Sequence, residues 1–184
     1  MLNAKYRVEY CINLDTILIL PKLDQYGNLI SLVLEGVQIY VVNKSPMQII
    51  KDSLLHYGSD FEGARRAAIF HLGNGYSQPV MISSLHNLYW FPHSSPNNID
   101  CGWFALHHII KHRAVEIYNT EITFTHGHVL TINMKERLFQ NRKFLARDLK
   151  QKVEEKCQFY LEPKKGLMIV KERLKIEYKE KKDD

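Results

Sequence analysis

Several features that would assign a function directly are missing from this chain of 184 residues. It has only three cysteines, which are far apart and form no Cys-x-x-Cys pair, and this indicates reduced thiols rather than a disulfide framework. The longest apolar stretches, 17–20 and 37–42, are far short of the ~20 residues of a membrane span. The N-terminus also lacks the pattern of a signal peptide. We therefore expect a cytoplasmic protein that has no contact with a membrane.

The sequence motifs of common enzyme classes are missing as well. The chain contains no GxSxG, no P-loop, no GxGxxG and no HExxH. Cys101 has histidines downstream, which is loosely what a thiol hydrolase needs. Its place before an apolar strand favours a small buried core residue instead. We predict that the protein is not an enzyme and needs no cofactor or metal.

The composition indicates a folded chain whose positive charge is unevenly distributed. Hydrophobic residues make up 45%, which is enough for a substantial core, and the net charge is +5. Residues 1–134 have nine Lys and Arg against ten Asp and Glu, whereas residues 135–184 have sixteen against ten. This local excess indicates a polyanionic partner, with nucleic acid first, or else only a solvated helix face rich in Lys and Glu.

The order of periodic segments predicts an α+β fold: an antiparallel sheet with a helical pair and C-terminal helices. Ser45 and Pro46 begin the first helix of the pair, Gly58 ends it, and a capping box at 59–62 opens the second. Helical spacing also places Leu55, and with less support Phe70, on the inward faces of this pair. The predicted strands are 6–10, 16–20, 29–34, 37–42, 80–82, 88–91, 103–110, 114–118, 121–125 and 129–133, with a tight turn at His126-Gly127.

A long helix is predicted over 134–156, with Leu138, Leu145, Leu149 and Val153 on its core face. A linker at 162–166 and a final helix over 167–178 follow. The chain is thus divided into an α+β core, 1–162, and a basic helical tail, 163–184. Within the core, we expect Trp103 to be largely buried with Leu106 or Phe104.

Cations that could contact phosphates occur on two of the predicted helices. Lys143, Arg147 and Lys150 share one face of the long helix, apart from its leucines, and such a stripe supplies affinity without sequence reading. Arg65 and Arg66 lie on the second helix of the pair. That pair superficially suits a helix-turn-helix, although two helices packed on a sheet are the favoured interpretation.

The histidines are the main competing signal. His107, His108, His112, His126 and His128 lie within 22 residues, with Cys101 nearby, and imidazole and thiolate are zinc ligands. A metal-dependent enzyme, such as a small nuclease, is therefore the alternative hypothesis. None of their spacings is typical of a zinc site, so histidines on exposed strand edges and at a hairpin tip are the favoured interpretation. A third possibility is an interaction module whose basic tail binds an acidic partner.

The middle of the chain resembles the competence transcription factor (ComK) family. The residues that carry the resemblance are Tyr57-Gly-Ser-Asp-Phe-Glu-Gly-Ala-Arg-Arg66, Gln78-Pro-Val-Met-Ile82, Tyr89-Trp-Phe-Pro-His-Ser-Ser-Pro96 and Cys101-Gly-Trp-Phe-Ala-Leu-His-His-Ile109. Order and spacing agree from Ile19 to Pro163. The chain departs from the family pattern at His93, where Thr is expected, and at Ala67-Ala68, where a Gly is usual.

The resemblance implies a cytoplasmic activator of genes for DNA uptake and recombination. It implies binding to A·T-rich double-stranded DNA through the minor groove as a homo-oligomer that spans paired boxes. It also implies RNA polymerase and a proteolytic adaptor with its protease as partners. The candidates for DNA contact are Arg65, Arg66, Lys111, Arg113, Lys143, Arg147 and Lys150.

Overall fold

The computed structural model describes residues 4–161, with side chains described as far as Lys156, and has the expected α+β class. The helices are α1 (Pro46–His56), α2 (Phe61–Leu72) and α3 (Glu136–Leu161). The strands are β1 (Lys5–Arg7), β2 (Thr16–Leu23), β3 (Leu29–Glu35), β4 (Gln38–Val42), β5 (Val80–Ser83), β6 (Leu88–Pro92), β7 (Trp103–Ala105), β8 (Ile109–Glu116), β9 (Asn119–Phe124) and β10 (Val129–Asn133).

The strands form two sheets. The larger has the order β1-β4-β3-β2-β7-β6-β5, and the smaller has the order β10-β9-β8. All neighbours pair antiparallel except β1, which runs parallel to β4. The chain passes from one sheet to the other at a 3-10 turn, Leu106–His108. The prediction of one strand over 103–110 is therefore wrong, as is that of a separate strand over 114–118, because β8 continues from 109 to 116.

Local sequence signals explain both helices of the pair. Ser45 caps α1 through a capping box with Gln48, and Gly58 follows α1 with a φ of 80°, a left-handed conformation that suits glycine. The α2 cap differs from the prediction by one residue. Asp60 rather than Ser59 is the N-cap, and its Oδ1 accepts a hydrogen bond from the Gly63 amide at 2.8 Å.

The larger sheet is covered on both faces, and neighbouring residues along a strand therefore enter different cores. Trp103 packs on the α1 and α2 side with Ile49 and Leu54, whereas Phe104 packs on the other side with Phe139 of α3. Trp103 is fully buried, as predicted, but its aromatic neighbour is Phe61 rather than Phe104, with ring centroids 6.4 Å apart. Cys101 is buried in the same core.

Three apolar residues expected to face inward are exposed instead. Leu55 of α1, Phe70 of α2 and Leu138 of α3 all lie on the surface. The buried face of α3 consists of Phe139, Ala146 and Leu149. At the start of the helix the buried residue is Phe139, one position after the predicted Leu138. Both sets satisfy a helical period, so the pattern alone does not determine which one faces the sheet.

Helix α3 connects the two sheets. It packs against β5 and β6 of the larger sheet and against β8 and β9 of the smaller one. Within residues 4–161, no helix is long and apolar enough to span a membrane. The linker, the final helix predicted over 167–178 and the division at 162/163 lie outside the described residues.

Candidate nucleic-acid interface

The seven predicted cations do not converge on one surface. Two lie on α2, two on β8 and three on α3. The three on α3, Lys143, Arg147 and Lys150, line a common groove. The groove combines three cations with one acidic residue, Glu154, and its geometry follows from how α3 lies against β8.

One wall of the groove is α3, and the other is the chain entering the smaller sheet. Lys143, Arg147 and Lys150 face Leu106, Ile109 and Ile110 across a volume of about 350 Å³, and Gln151 and Glu154 of α3 complete the lining. Because β8 is an edge strand, no further strand covers this side of the smaller sheet. A second hollow of about 140 Å³ continues the groove toward the start of α3, where it is lined by His112, Gln140, Phe144, Lys143 and Arg147.

The cations of the groove have few acidic partners. Within the described part of the chain, neither Lys143 nor Arg147 has an acidic partner within 4 Å. Lys150 has only a long contact, 3.7 Å, with Glu154 four residues later. Burial, and then the charge of Arg147, lower the pKa of Lys143. A phosphate bound between Lys143 and Arg147 would relieve this repulsion, which makes the groove suitable for an anion.

The two cations of β8 are less uniform. Arg113 Nε donates to Glu121 Oε1 at 2.7 Å, and this bond raises the pKa of Arg113 and lowers that of Glu121. Much of the positive charge of Arg113 is therefore already neutralised. Lys111, in contrast, is exposed, and no acidic side chain of the described residues lies within 4 Å of it.

Arg65 and Arg66 are exposed on α2, and Arg65 lies 3.6 Å from Glu62 one turn earlier. Helix α2 packs mainly on α3 and β5, and much less on α1. This arrangement favours two helices packed on a sheet over a helix-turn-helix, in which the two helices pack against each other.

The histidines do not form a metal centre. Nε2 of His107 and Nε2 of His108 donate to the same acceptor, the carbonyl oxygen of Leu14, at 3.1 and 2.8 Å. His108 Nδ1 accepts from Thr125 Oγ1 at 2.6 Å, so both ring nitrogens of His108 are occupied. Burial lowers the pKa of His108 to about 4 and keeps the ring neutral.

The other histidines point to different places. His128 Nε2 donates to the Gly36 carbonyl at 2.7 Å and joins the β9–β10 turn to the larger sheet. His112 Nδ1 lies 2.9 Å from Glu136 Oε1, and His126 is exposed on the predicted turn with a φ of 59°. In residues 4–161 no group of three His, Cys, Asp or Glu could hold a metal ion. The structure therefore does not favour the metal-dependent enzyme.

A larger hollow lies between the larger sheet and β10, with a volume of about 450 Å³. Its lining is mostly aliphatic, including Leu20, Leu32, Leu34 and Val41, and its only cationic residue is Lys22. An apolar lining of this kind does not suit a polyanion, so the groove beside α3 remains the candidate interface.

Comparison with known proteins identifies a family for this chain. The model of the ComK protein family matches residues 7–158. The chain belongs to this family. The competence transcription factor of Bacillus subtilis (strain 168) is 26% identical over 173 residues, which cover 92% of this chain and 89% of the relative. No solved structure matches the chain significantly.

Many of the residues from Gln78 onward that connect this chain with the ComK family lie in the core, whereas in the 57–66 segment only Ala64 is buried. Trp90 and Phe91 of β6 and Trp103 and Phe104 of β7 are fully buried. A Cβ at Gly102 would lie 2.9 Å from Leu20 Cδ2 and 3.4 Å from the Ile19 carbonyl oxygen, so the close approach of the chain before β7 to β2 favours a small residue there. These buried residues report the fold of this ComK-family chain. Of the residues that line the groove, the resemblance segments include Leu106 and Ile109 but none of the three cations of α3.

Several residues that line the groove were not among the predicted contacts, and Gln140 and Ile110 show two different reasons. Gln140 lies one turn before Lys143, so helical spacing alone could have included it. Ile110 faces the cations only because the 3-10 turn redirects the chain before β8, and no spacing rule predicts that. Arg142, in contrast, turns inward and donates to the Ser77 carbonyl at 3.3 Å.

Proposed function

We propose that this chain is a DNA-binding transcriptional regulator of competence genes. It binds A·T-rich duplex DNA through the groove between α3 and β8. Membership in the ComK family supports the role in regulation, and the relative from Bacillus subtilis is named a competence transcription factor. The observation that best supports DNA as the ligand is the alignment of Lys143, Arg147 and Lys150, largely without acidic partners, along one open groove.

The dimensions of the stripe fit a phosphate backbone. Lys143 and Lys150 are seven residues apart, which is about 10.5 Å along a helix. Successive phosphates of one DNA strand are about 3.4 Å apart along the duplex axis, so the stripe extends over roughly three of them. Cations arranged in this way contribute affinity but do not distinguish one sequence from another.

Selectivity for A·T-rich DNA is proposed to come from the minor groove. A·T tracts have a narrow minor groove with enhanced negative potential, which attracts inserted Arg and Lys. Arg147 and Lys111 are the exposed cations best suited to such insertion, because neither has a described acidic partner. The packing of α1 and α2 does not present a recognition helix, which is consistent with minor-groove binding.

The wider role follows the family resemblance. We propose that the protein acts in the cytoplasm as a homo-oligomer on paired A·T-rich boxes and activates transcription by RNA polymerase. We further propose that an adaptor and its protease limit its amount. Each of these partners can be tested by co-sedimentation or pull-down with the full-length chain.

Titration of labelled duplexes by fluorescence anisotropy at several salt concentrations tests the proposal. If about five phosphates are contacted, log affinity should fall with log salt at a slope near −4 to −5. An A·T-rich duplex should bind more tightly than a G·C-rich duplex of equal length. A flat salt response, or equal affinity for the two duplexes, would contradict the proposal.

A further inference from the structure

The hairpin formed by β8 and β9 ends in apolar residues that packing does not explain. Ile117 and Tyr118 form its turn, and they are 79% and 60% exposed. Residues such as Gly, Asn and Asp, which suit turn geometry, are usual at such a position. Here the neighbours stabilise the turn, because Asn119 Nδ2 donates to Glu116 Oε2 at 2.7 Å. The apolar pair is therefore free to contact something outside the chain.

The position of this tip relates it to the cationic groove. Lys135 Nζ lies 4.9 Å from the centre of the Tyr118 ring, so the tip stands beside the start of α3. From Glu136 to Lys150 the helix extends about 21 Å, which is the length of about six base pairs. Because β8 runs along α3 from Ile110 toward the tip, a duplex held in the groove would meet the hairpin tip at one end.

We propose that Ile117 and Tyr118 form a wedge that enters between base pairs of bound A·T-rich duplex from the minor groove and kinks it. This inference rests on the function proposed above. Minor-groove proteins often insert apolar side chains between base steps, and TA steps are among the easiest to unstack. Lys135, beside the tip, supplies a cation for the phosphates that flank the kink. The Glu116 carboxylate accepts a hydrogen bond from Asn119 Nδ2, which holds it in the turn.

The test uses the full-length protein and a duplex with 2-aminopurine at a central TA step, whose fluorescence rises when the base unstacks. A second duplex with donor and acceptor dyes at its ends reports bending. The variant is the double substitution Ile117→Ser and Tyr118→Ser. The control is Leu85→Ser, because Leu85 is equally exposed but lies in the turn between β5 and β6. If the double variant folds poorly, Ile117→Ala alone provides the same measurement.

The wild-type protein and the control should raise the fluorescence and bend the duplex, whereas the double variant should lose most of both effects. A mismatch at the TA step, which removes part of the unstacking cost, should strengthen wild-type binding by roughly 10-fold and leave the double variant unchanged. A double variant that still unstacks and bends the duplex would overturn the wedge but leave the proposed function standing.

Two other outcomes also overturn the wedge. A wild-type protein that binds no A·T-rich duplex would overturn the proposed function as well. A double variant that unstacks DNA normally, but loses self-association in sedimentation velocity, would assign the tip to contact with a second copy of the chain.

Discussion

Replacing Lys143, Arg147 and Lys150 together by Gln tests the candidate interface most directly. Each phosphate contact contributes about −0.9 to the slope of log affinity against log salt, so three lost contacts should make the slope shallower by up to about 2.7. At 1 M salt screening is nearly complete, and these contacts should contribute little to the affinity. A slope of −0.9 over the tenfold change from 1 M to 0.1 M salt then corresponds to roughly 8-fold in affinity per contact at 0.1 M. The upper limit for the triple variant is therefore a loss of about 500-fold.

The structure indicates a somewhat smaller effect. Lys150 already interacts with Glu154, four residues later, at 3.7 Å. Removing Lys143 also relieves its repulsion with Arg147, which lowers the pKa of Lys143 in the free protein. We therefore expect a loss of about 50- to 500-fold, with unfolding free energy changed by less than about 1 kcal/mol, since Gln keeps helix propensity.

Fluorescence anisotropy at five or more salt concentrations measures both the affinity and its slope. A matched control replaces Lys5, Lys22 and Lys51 by Gln, because these three are exposed, lack described ion pairs and change the net charge equally. The control should lose less than about 5-fold, since distant surface charges are screened. A triple variant that keeps its affinity and its slope would refute the reasoning and move the interface to Arg65 and Arg66 or to β8.

Two further predictions concern the core. Trp103→Ala should cost roughly 3–5 kcal/mol of unfolding free energy in urea titrations, because the ring is fully buried against Phe61; a loss below about 2 kcal/mol would contradict this. Burial lowers the pKa of His108 to about 4 in the folded protein, against about 6.5 in the unfolded chain. Between these two pH values the unfolded chain binds a proton that the folded protein does not bind. The free energy of unfolding therefore falls as the pH drops from 6.5 toward 4. The fall attributable to His108 should reach roughly 2 kcal/mol by pH 5, and it should be absent in His108→Asn; an equal pH dependence in both proteins would refute the assignment.

The sequence predicted the type and order of most elements. Alternating apolar residues and turn signals indicated the hairpins, and the Ser45 cap with Gly58 bounded α1. The division into two sheets was not predictable, because Leu106 continues the apolar pattern of β7 through the 3-10 turn. The parallel pairing of β1 with β4 depends on contacts between distant segments, and a short strand has no local signal for its direction.

The candidate site was predictable only in part. Helical spacing grouped Lys143, Arg147 and Lys150, which line a single groove. The facing wall at Ile110 depends on where the chain leaves the larger sheet, which a periodic pattern does not contain. The histidines are close in sequence, but their hydrogen-bond partners lie in different loops. His108 bonds to the carbonyl oxygen of Leu14, and His128 bonds to that of Gly36.

The position of α3 between the two sheets has a consequence for how the protein could be switched off. One face of this helix carries Phe139 and Leu149, which belong to buried clusters. Another face carries Lys143 and Arg147, which line the groove. Pulling α3 away from its carboxyl end would therefore dismantle the cationic surface and open the core in the same motion. An unfolding machine that pulled on this end would abolish the proposed DNA binding before it had unravelled the seven-stranded sheet.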